Sequence, residues 1–155
     1  MYTTELARPD AHATGSVSTK RAPARRRALL AAFLALVVVL AVSCDATKAN
    51  TDYAMVNGVR ARSGLSPLVR SSELDVKAAA HAAALASSGT LYHSKLSAGV
   101  SPGWKALGEN VAYASSVESA QQNLEASPPH LANMLNPAFN QVGIGVRTAD
   151  GVTYA

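Results

Sequence analysis

The sequence contains a single cysteine, Cys44, so the chain cannot form an internal disulfide. Aromatic residues make up only 5% of its 155 positions and charged residues 15%. The HExxH pattern of zinc proteases and the serine elbow of α/β-hydrolases are both missing. These absences point to one domain that its own hydrophobic core must stabilise, and they remove two common hydrolase classes.

The net charge of +4 comes entirely from the N-terminal part of the chain. Residues 1–44 hold six basic and two acidic residues, whereas the remaining positions hold eight of each sign. The part of the chain after position 44 is therefore neutral, and it lacks the basic surface that nucleic-acid-binding proteins carry. We expect no nucleic-acid partner.

An unbroken apolar run, Ala28–Ser43, follows three consecutive arginines. Its length falls short of the roughly 18 residues expected of a spanning helix, and a basic flank before such a run is typical of a secretory signal. A cleaved signal is favoured over a retained membrane anchor, and both remain open. We predict that residues 1–27 form a disordered basic leader, residues 28–44 the signal or anchor, and residues 45–50 a polar linker.

Cys44 ends the apolar run in the sequence Ala41-Val42-Ser43-Cys44, which resembles a bacterial lipobox. In this interpretation Cys44 carries a lipid that holds the mature chain on the outer face of the cell membrane. The alternative is a cysteine that is lost with the cleaved signal or buried in the membrane. Either way we expect the domain to be secreted or anchored outside the cytoplasm.

Local signals in residues 51–155 predict an α+β domain. Serines and acidic residues mark the start of each predicted helix, and Ser127 is the predicted cap of the fourth. Glycine or proline marks where the helices end. Alternation of apolar and polar residues marks strands. The expected order is helix, helix, strand, helix, helix, strand, strand, which favours helices layered on an antiparallel sheet. The expected bounds are 51–62, 72–87, 108–114, 115–126, 127–135, 141–148 and 152–155.

Two histidines and a glutamate are the candidate site residues. His93 follows the second helix, Glu109 lies near the start of a predicted strand, and His130 lies near the start of a predicted helix. Two neutral imidazoles and one carboxylate can bind Zn²⁺ and leave a position open for water. Without a metal, Glu109 could fix the tautomer of a histidine or anchor the chain through backbone N–H groups.

Several polar residues near these three predict supporting roles. We interpret Ser94 and Ser127 as capping or cleft hydrogen-bonding residues rather than nucleophiles, and Asn110 and Asn133 as residues that tie loops together. His81 lies on an alanine-rich helix, where a histidine is more often a boundary residue than a ligand. The alanines themselves indicate that another element approaches this helix closely.

The chain from Val56 to Ala155 resembles a CAP domain, the superfamily of cysteine-rich secretory proteins, venom antigens and plant pathogenesis-related proteins, in its bacterial disulfide-free branch. The resemblance rests on several motifs in order: Asn57 and Arg60 before Gly64-Leu65-Ser66-Pro67-Leu68, His93-Ser94, Gly108-Glu109-Asn110-Val111-Ala112, Ser127-Pro128-Pro129-His130, Asn136-Pro137 and Val142-Gly143-Ile144-Gly145-Val146.

This resemblance implies an α-β-α sandwich with a concave cleft that carries two histidines and two acidic residues, and in some members a divalent metal such as zinc. The histidines carry over to His93 and His130, and one acidic position to Glu109. Ser127 stands at the second acidic position, so the full set of four is not present. Asn110 belongs to the same cleft motif.

Three functions are compatible with these residues. The first is a non-enzymatic extracellular binding module whose cleft takes a divalent metal or a small, lipid or peptide ligand of the cell envelope. The second is a metal-assisted hydrolase of peptide or envelope polymer, and the third is an inert adhesion module. We favour the first because few residues for catalysis are present.

Overall fold

The computed structural model of the protein describes residues 24–155. Its first helix, α1, runs from Ala24 to Arg62, so it begins well before Thr51, where we predicted the start. Residues 45–50 belong to this helix and not to a linker, and Ala49 is buried in the core. No proline interrupts the chain between these bounds, and Gly64, with a φ of 69°, follows the end of the helix.

The described residues fall into two units, one that ends at Leu36 and one that runs from Val37 to Ala155. In the first unit, Leu29 and Phe33 of α1 are exposed. Within residues 24–155, no helix contains a stretch both long and apolar enough to cross a bilayer. The predicted leader lies outside the described residues as far as position 23. The side chain of Cys44, the predicted lipidation site, is also outside them.

Three further helices begin within two residues of their predicted starts: α2 is Ser72–Ser88, α3 is Val117–Ala126 and α4 is Pro128–Met134. The side chain of Ser71 accepts from the Leu74 N–H to cap α2, and Ser116 caps α3 in the same way. The predicted cap by Ser127 is wrong, because its side chain makes no cap bond to α4. Its hydroxyl is engaged by His130 instead.

The described residues contain five short strands, which form two sheets: β1 is Val69–Arg70, β2 is Tyr113–Ala114, β3 is Gln141–Val142, β4 is Arg147–Ala149 and β5 is Val152–Tyr154. Strands β2, β5 and β4 form an antiparallel sheet in that order, with Thr153 opposite both Ala114 and Thr148. Strands β1 and β3 form a parallel pair, with Val69 opposite Gln141. We had predicted no strand at β1.

The two longer predicted strands are shorter in the structure. Regular strand geometry in 108–114 is confined to β2, although Ala112 and Ala155 still exchange backbone hydrogen bonds of 2.8 and 3.0 Å. The predicted strand 141–148 breaks into β3 and the start of β4. A Cβ added at Gly143 or Gly145 would lie 2.1 Å from the backbone of Leu74 or Ala78 in α2. The expected close approach to the alanine-rich helix is therefore confirmed.

Helix α2 contacts β4 and β5, and α3 contacts α4, β2 and β5. This mixed arrangement of helices and sheet confirms the predicted α+β class. Two buried clusters form the core, one of Ala49, Val56, Leu68, Val117, Ile144 and Val146, and one of Val59, Ala112, Ala120, Leu124 and Met134. Both clusters include residues of α1, and Ala49 in the first cluster is the core residue that lies before Thr51.

Two polar side chains of α1, Asn57 and Arg60, hydrogen-bond to the backbone of other segments. Asn57 accepts from the Leu68 N–H at 2.8 Å and donates to the Leu68 carbonyl at 3.2 Å. Arg60 is 2% exposed, and its guanidinium donates to the carbonyls of four residues, Ser66, Met134, Asn136 and Phe139. Asn57 thus ties α1 to Leu68, and Arg60 ties it to the segments around α4.

Candidate functional site

The site is built on the segment between α2 and β2, residues 89–112, which contains neither helix nor strand. Its first half brings His93 and Ser94 against Glu109 in its second half. The Nδ1 of His93 donates to Oε1 of Glu109 at 2.9 Å. Ser94 donates its backbone N–H to Oε1 at 2.8 Å and its hydroxyl to Oε2 at 2.5 Å. Both carboxylate oxygens are therefore engaged.

These bonds determine the charge of Glu109, whose side chain is 15% exposed. Partial burial alone raises the pKa of Glu109, because it disfavours the charged form. The hydrogen bonds from the Ser94 hydroxyl, the Ser94 backbone and His93 oppose this effect, and they hold the pKa below its ordinary value of 4.5. Glu109 is thus a fixed negative charge at neutral pH.

A cleft of about 400 Å³ opens beside this carboxylate. Two leucines, Leu96 and Leu107, line it together with His93, Ser94, Gly108, Glu109 and Asn133. The side chain of His93 is 60% exposed, so its ring is accessible from solvent. A Cβ at Gly108 would lie 2.8 Å from the Phe139 ring, so a side chain there would require that ring to shift.

His130 forms a second pair at the start of α4. Its Nδ1 is hydrogen-bonded to the Ser127 hydroxyl at 2.8 Å, and its carbonyl accepts from Asn110 at 3.0 Å. Asn133 donates to the Asn110 side chain at 3.0 Å and to the Glu109 carbonyl at 3.4 Å. The two asparagines thus tie α4 to the segment that carries Glu109, as we predicted.

The predicted site residues therefore form two pairs, His93 with Glu109 and His130 with Ser127, connected through Asn110. His130 is not among the residues that line the cleft. Within residues 24–155, no group of three His, Cys, Asp or Glu side chains is arranged to hold a metal ion. Zinc ligation by His93, Glu109 and His130 stays a prediction.

Sequence reasoning did not identify the residues of α2 that hold the segment in place. Glu73, Lys77 and His81 each hydrogen-bond to it. The signal was visible as three polar residues spaced by four on a helix otherwise rich in alanine. The expectation that His81 is a boundary residue is confirmed, since it is partly buried and bonds a backbone carbonyl.

Comparisons with known proteins agree with this architecture. No curated protein matches the sequence at a significant level. The fold is similar to a 1.5 Å crystal structure of an extracellular protein containing an SCP domain from Bacillus anthracis strain Ames, with a TM-score of 0.58 and 23% sequence identity. The alignment covers 71% of this chain but only 39% of that chain. A model of the cysteine-rich secretory protein family, CAP, matches residues 53–154. This match covers well over half of the sequence, and the protein belongs to the CAP family.

Proposed function

We propose that the protein is a non-enzymatic CAP domain that works outside the cytoplasm, where its Glu109 cleft binds a ligand without converting it. The signal-like run Ala28–Ser43 supports export. The Bacillus anthracis protein with a similar fold is described as extracellular, which is consistent with the same location. Retention at the membrane would come from a lipid on Cys44.

The observation that carries the proposal is the engagement of both Glu109 oxygens by His93 and Ser94. A catalytic base needs a pKa near the working pH, whereas the pKa of Glu109 is lowered from 4.5. A carboxylate held in this way is a weak proton acceptor. It is well suited to attract a cation while the rest of the cleft provides shape.

The ligand class follows from the groups that face the cleft. Glu109 supplies negative charge, the exposed His93 ring supplies a nitrogen, and Leu96 and Leu107 supply apolar contact. This combination favours a ligand with a cationic or N–H donor group beside an apolar part, such as a basic peptide side chain. A divalent metal is the simplest ligand that is also positively charged, and His93 and Glu109 are the residues that would bind it. His130 and Ser127 would then contact the ligand from the start of α4.

Native mass spectrometry of the protein purified from its own cell envelope tests this proposal. We expect the wild-type protein to retain an additional mass, metal or organic, that the Glu109→Gln and His93→Ala variants lose. Lys105→Met is the matched control, because Lys105 lies in the same segment, is exposed and does not line the cleft. The same spectra give the mature N-terminus and any acyl chain on Cys44.

Two results would contradict the proposal. Equal retained masses in the wild type and both variants would exclude the cleft as the binding site. Cleavage of a peptide or an envelope glycan by the purified protein, lost in Glu109→Gln, would instead identify a hydrolase. A zinc titration of the wild type against the His93→Ala, His130→Ala double variant separates metal from organic ligands, because only a metal site loses zinc affinity in that variant.

A further inference from the structure

Three side chains on one face of α2 contact the segment that carries His93 and Ser94. Glu73, Lys77 and His81 are spaced by four residues, so they lie above one another along the helix. They thus form a row of polar groups next to the site. We call these three residues the α2 row.

The row begins near the site with His81. Its Nε2 donates to the Tyr92 carbonyl at 2.8 Å, and the two rings meet edge to face with centroids 5.1 Å apart. Tyr92 directly precedes His93, and the side chain of His93 hydrogen-bonds to Glu109. The backbone at His93 is therefore held between α2 and Glu109.

The other two residues fix the next part of the segment. The ammonium of Lys77 donates to the carbonyls of Lys95 and Ala98 at 2.9 and 3.0 Å. Oε1 of Glu73 accepts from the Ser101 N–H at 2.9 Å and from its hydroxyl at 2.6 Å. Five hydrogen bonds thus join the α2 row to residues 92–101.

The segment has few other means of holding this shape. Residues 95, 97, 98 and 99 are exposed, and no residue between 92 and 101 is fully buried. Helix α2 is in contrast firmly placed, since Ala82 and Leu85 are buried and Gly143 and Gly145 pack on its backbone. Local order in a chain with little buried apolar surface depends on such polar contacts.

We infer that Glu73, Lys77 and His81 are positioning residues of the cleft, which hold the segment so that His93 and Ser94 meet Glu109. The role of this arrangement in ligand binding rests on the proposed function, but the positioning itself is a property of the free protein. The two Ser94 donors reach the Glu109 carboxylate only while the segment stays in place.

The test is a Lys77→Met variant of the full chain, measured by NMR without any ligand. We expect the Ser94 amide to exchange with solvent about fivefold faster, the effect of losing roughly one net hydrogen bond. We also expect the pKa of Glu109 to rise towards 4.5. Lys77→Arg should keep both wild-type values, because a guanidinium can donate to the same two carbonyls.

Lys105→Met is the matched control for the loss of a lysine, and Glu73→Gln is an independent variant at the other end of the row. Wild-type Ser94 exchange in both Lys77→Met and Glu73→Gln would overturn the inference. Faster exchange with an unchanged pKa of Glu109 would also overturn it, since the row would then stabilise the segment without positioning the site. Ligand retention is measured separately, so either conclusion can fail while the other stands.

Discussion

Glu109 shows how a single residue can combine burial with full ionisation. Its side chain is 15% exposed, which by itself favours the neutral acid. Three donors from His93 and Ser94 reverse that preference. The resemblance to a CAP domain placed His93 and Glu109 in one cleft, but it left open which histidine Glu109 would bond. It could not predict that Ser94 would supply two of the three bonds, since loop geometry leaves no periodic signal.

Replacing Glu109 with glutamine should reduce the free energy of unfolding at pH 7 by about 1–2 kcal/mol, because charge-assisted hydrogen bonds become neutral ones. A lowered pKa in the folded state means that the carboxylate stabilises the fold above pH 4.5 and that this contribution disappears as pH falls through the folded pKa. Urea unfolding at pH 7 and pH 3 measures it. A difference between wild type and variant that is equally large at both pH values would contradict the account.

The carboxyl group of Asp52 should make the stability of the fold depend on pH in the opposite direction. This residue is 7% exposed, and burial, with repulsion from Glu118, raises the pKa of Asp52 from 3.8 to about 6. The folded state then binds a proton that the unfolded state has released, so stability falls as pH rises from 3.8 to 6. At pH 7.5 we expect Asp52→Asn to raise the free energy of unfolding by about 1–3 kcal/mol.

Asp150→Asn is the control for this prediction. Asp150 is exposed in the turn between β4 and β5 with a φ of 50°, and asparagine tolerates that conformation. Its substitution should change stability by less than about 0.5 kcal/mol. If Asp52→Asn proved destabilising at pH 7.5 and neutral at pH 4, the burial of a charged carboxylate at this position would be disproved.

At the scale of elements, the sequence predicted the helices better than the strands. Helices α2, α3 and α4 begin where serine, acidic residues and proline favour a start, because these signals are local. The strand predicted at 141–148 follows an alternating pattern, but the approach of α2 to Gly143 and Gly145 interrupts it. No local pattern reports the position of a distant helix. The predicted start of α1 was wrong for the same reason, since only tertiary packing shows that Ala49 belongs to the core.

Gly145→Ala tests the close packing of α2 on this segment. The added methyl group would lie 2.1 Å from the Ala78 backbone, and backbone atoms cannot move aside as a flexible side chain can. We expect a loss of about 3 kcal/mol or more in the free energy of unfolding, measured with urea.

Gly58→Ala is the matched control. Its methyl group would meet only the end of Arg62, at 3.6 Å, and alanine is the better helix former by about 1 kcal/mol. This variant should therefore be more stable than the wild type. Equal effects of the two substitutions would mean that α2 does not lie against residues 143–145.

At the scale of the whole domain, Arg60 joins parts of the chain that are far apart in sequence. It is buried in α1, and three of its four carbonyl partners belong to Met134, Asn136 and Phe139. The CAP motif marks Arg60 in the sequence. Its partners could not be predicted, because they are backbone atoms, and backbone atoms carry no residue-type signal.

Arg60→Met should therefore cost at least about 3 kcal/mol, because it leaves several buried carbonyls without donors. Arg62→Met, two residues away, removes an exposed ion pair with Glu125 and should cost less than about 1 kcal/mol. Thermal and urea unfolding of both variants compare the two arginines directly. Similar losses would show that the guanidinium of Arg60 does not connect α1 with the segments after α4.

The site as a whole was predicted in part. His93 and Glu109 meet as expected, whereas His130 pairs with Ser127 outside the lining of the cleft. Spacing along a chain shows which residues can start or end elements. It does not fix the last few ångströms between side chains on different elements, and those distances decide whether a site has two ligands or three.

The central claim is that Ser94 and His93 hold Glu109 as a permanent negative charge in the cleft. The most direct measurement is the pKa of Glu109, followed by carbon NMR of its carboxyl group in the wild type and in Ser94→Ala. The account predicts a wild-type value below 4.5 that rises in the variant, because the hydroxyl donor is lost. A wild-type value at or above 4.5, with no change in Ser94→Ala, would contradict it.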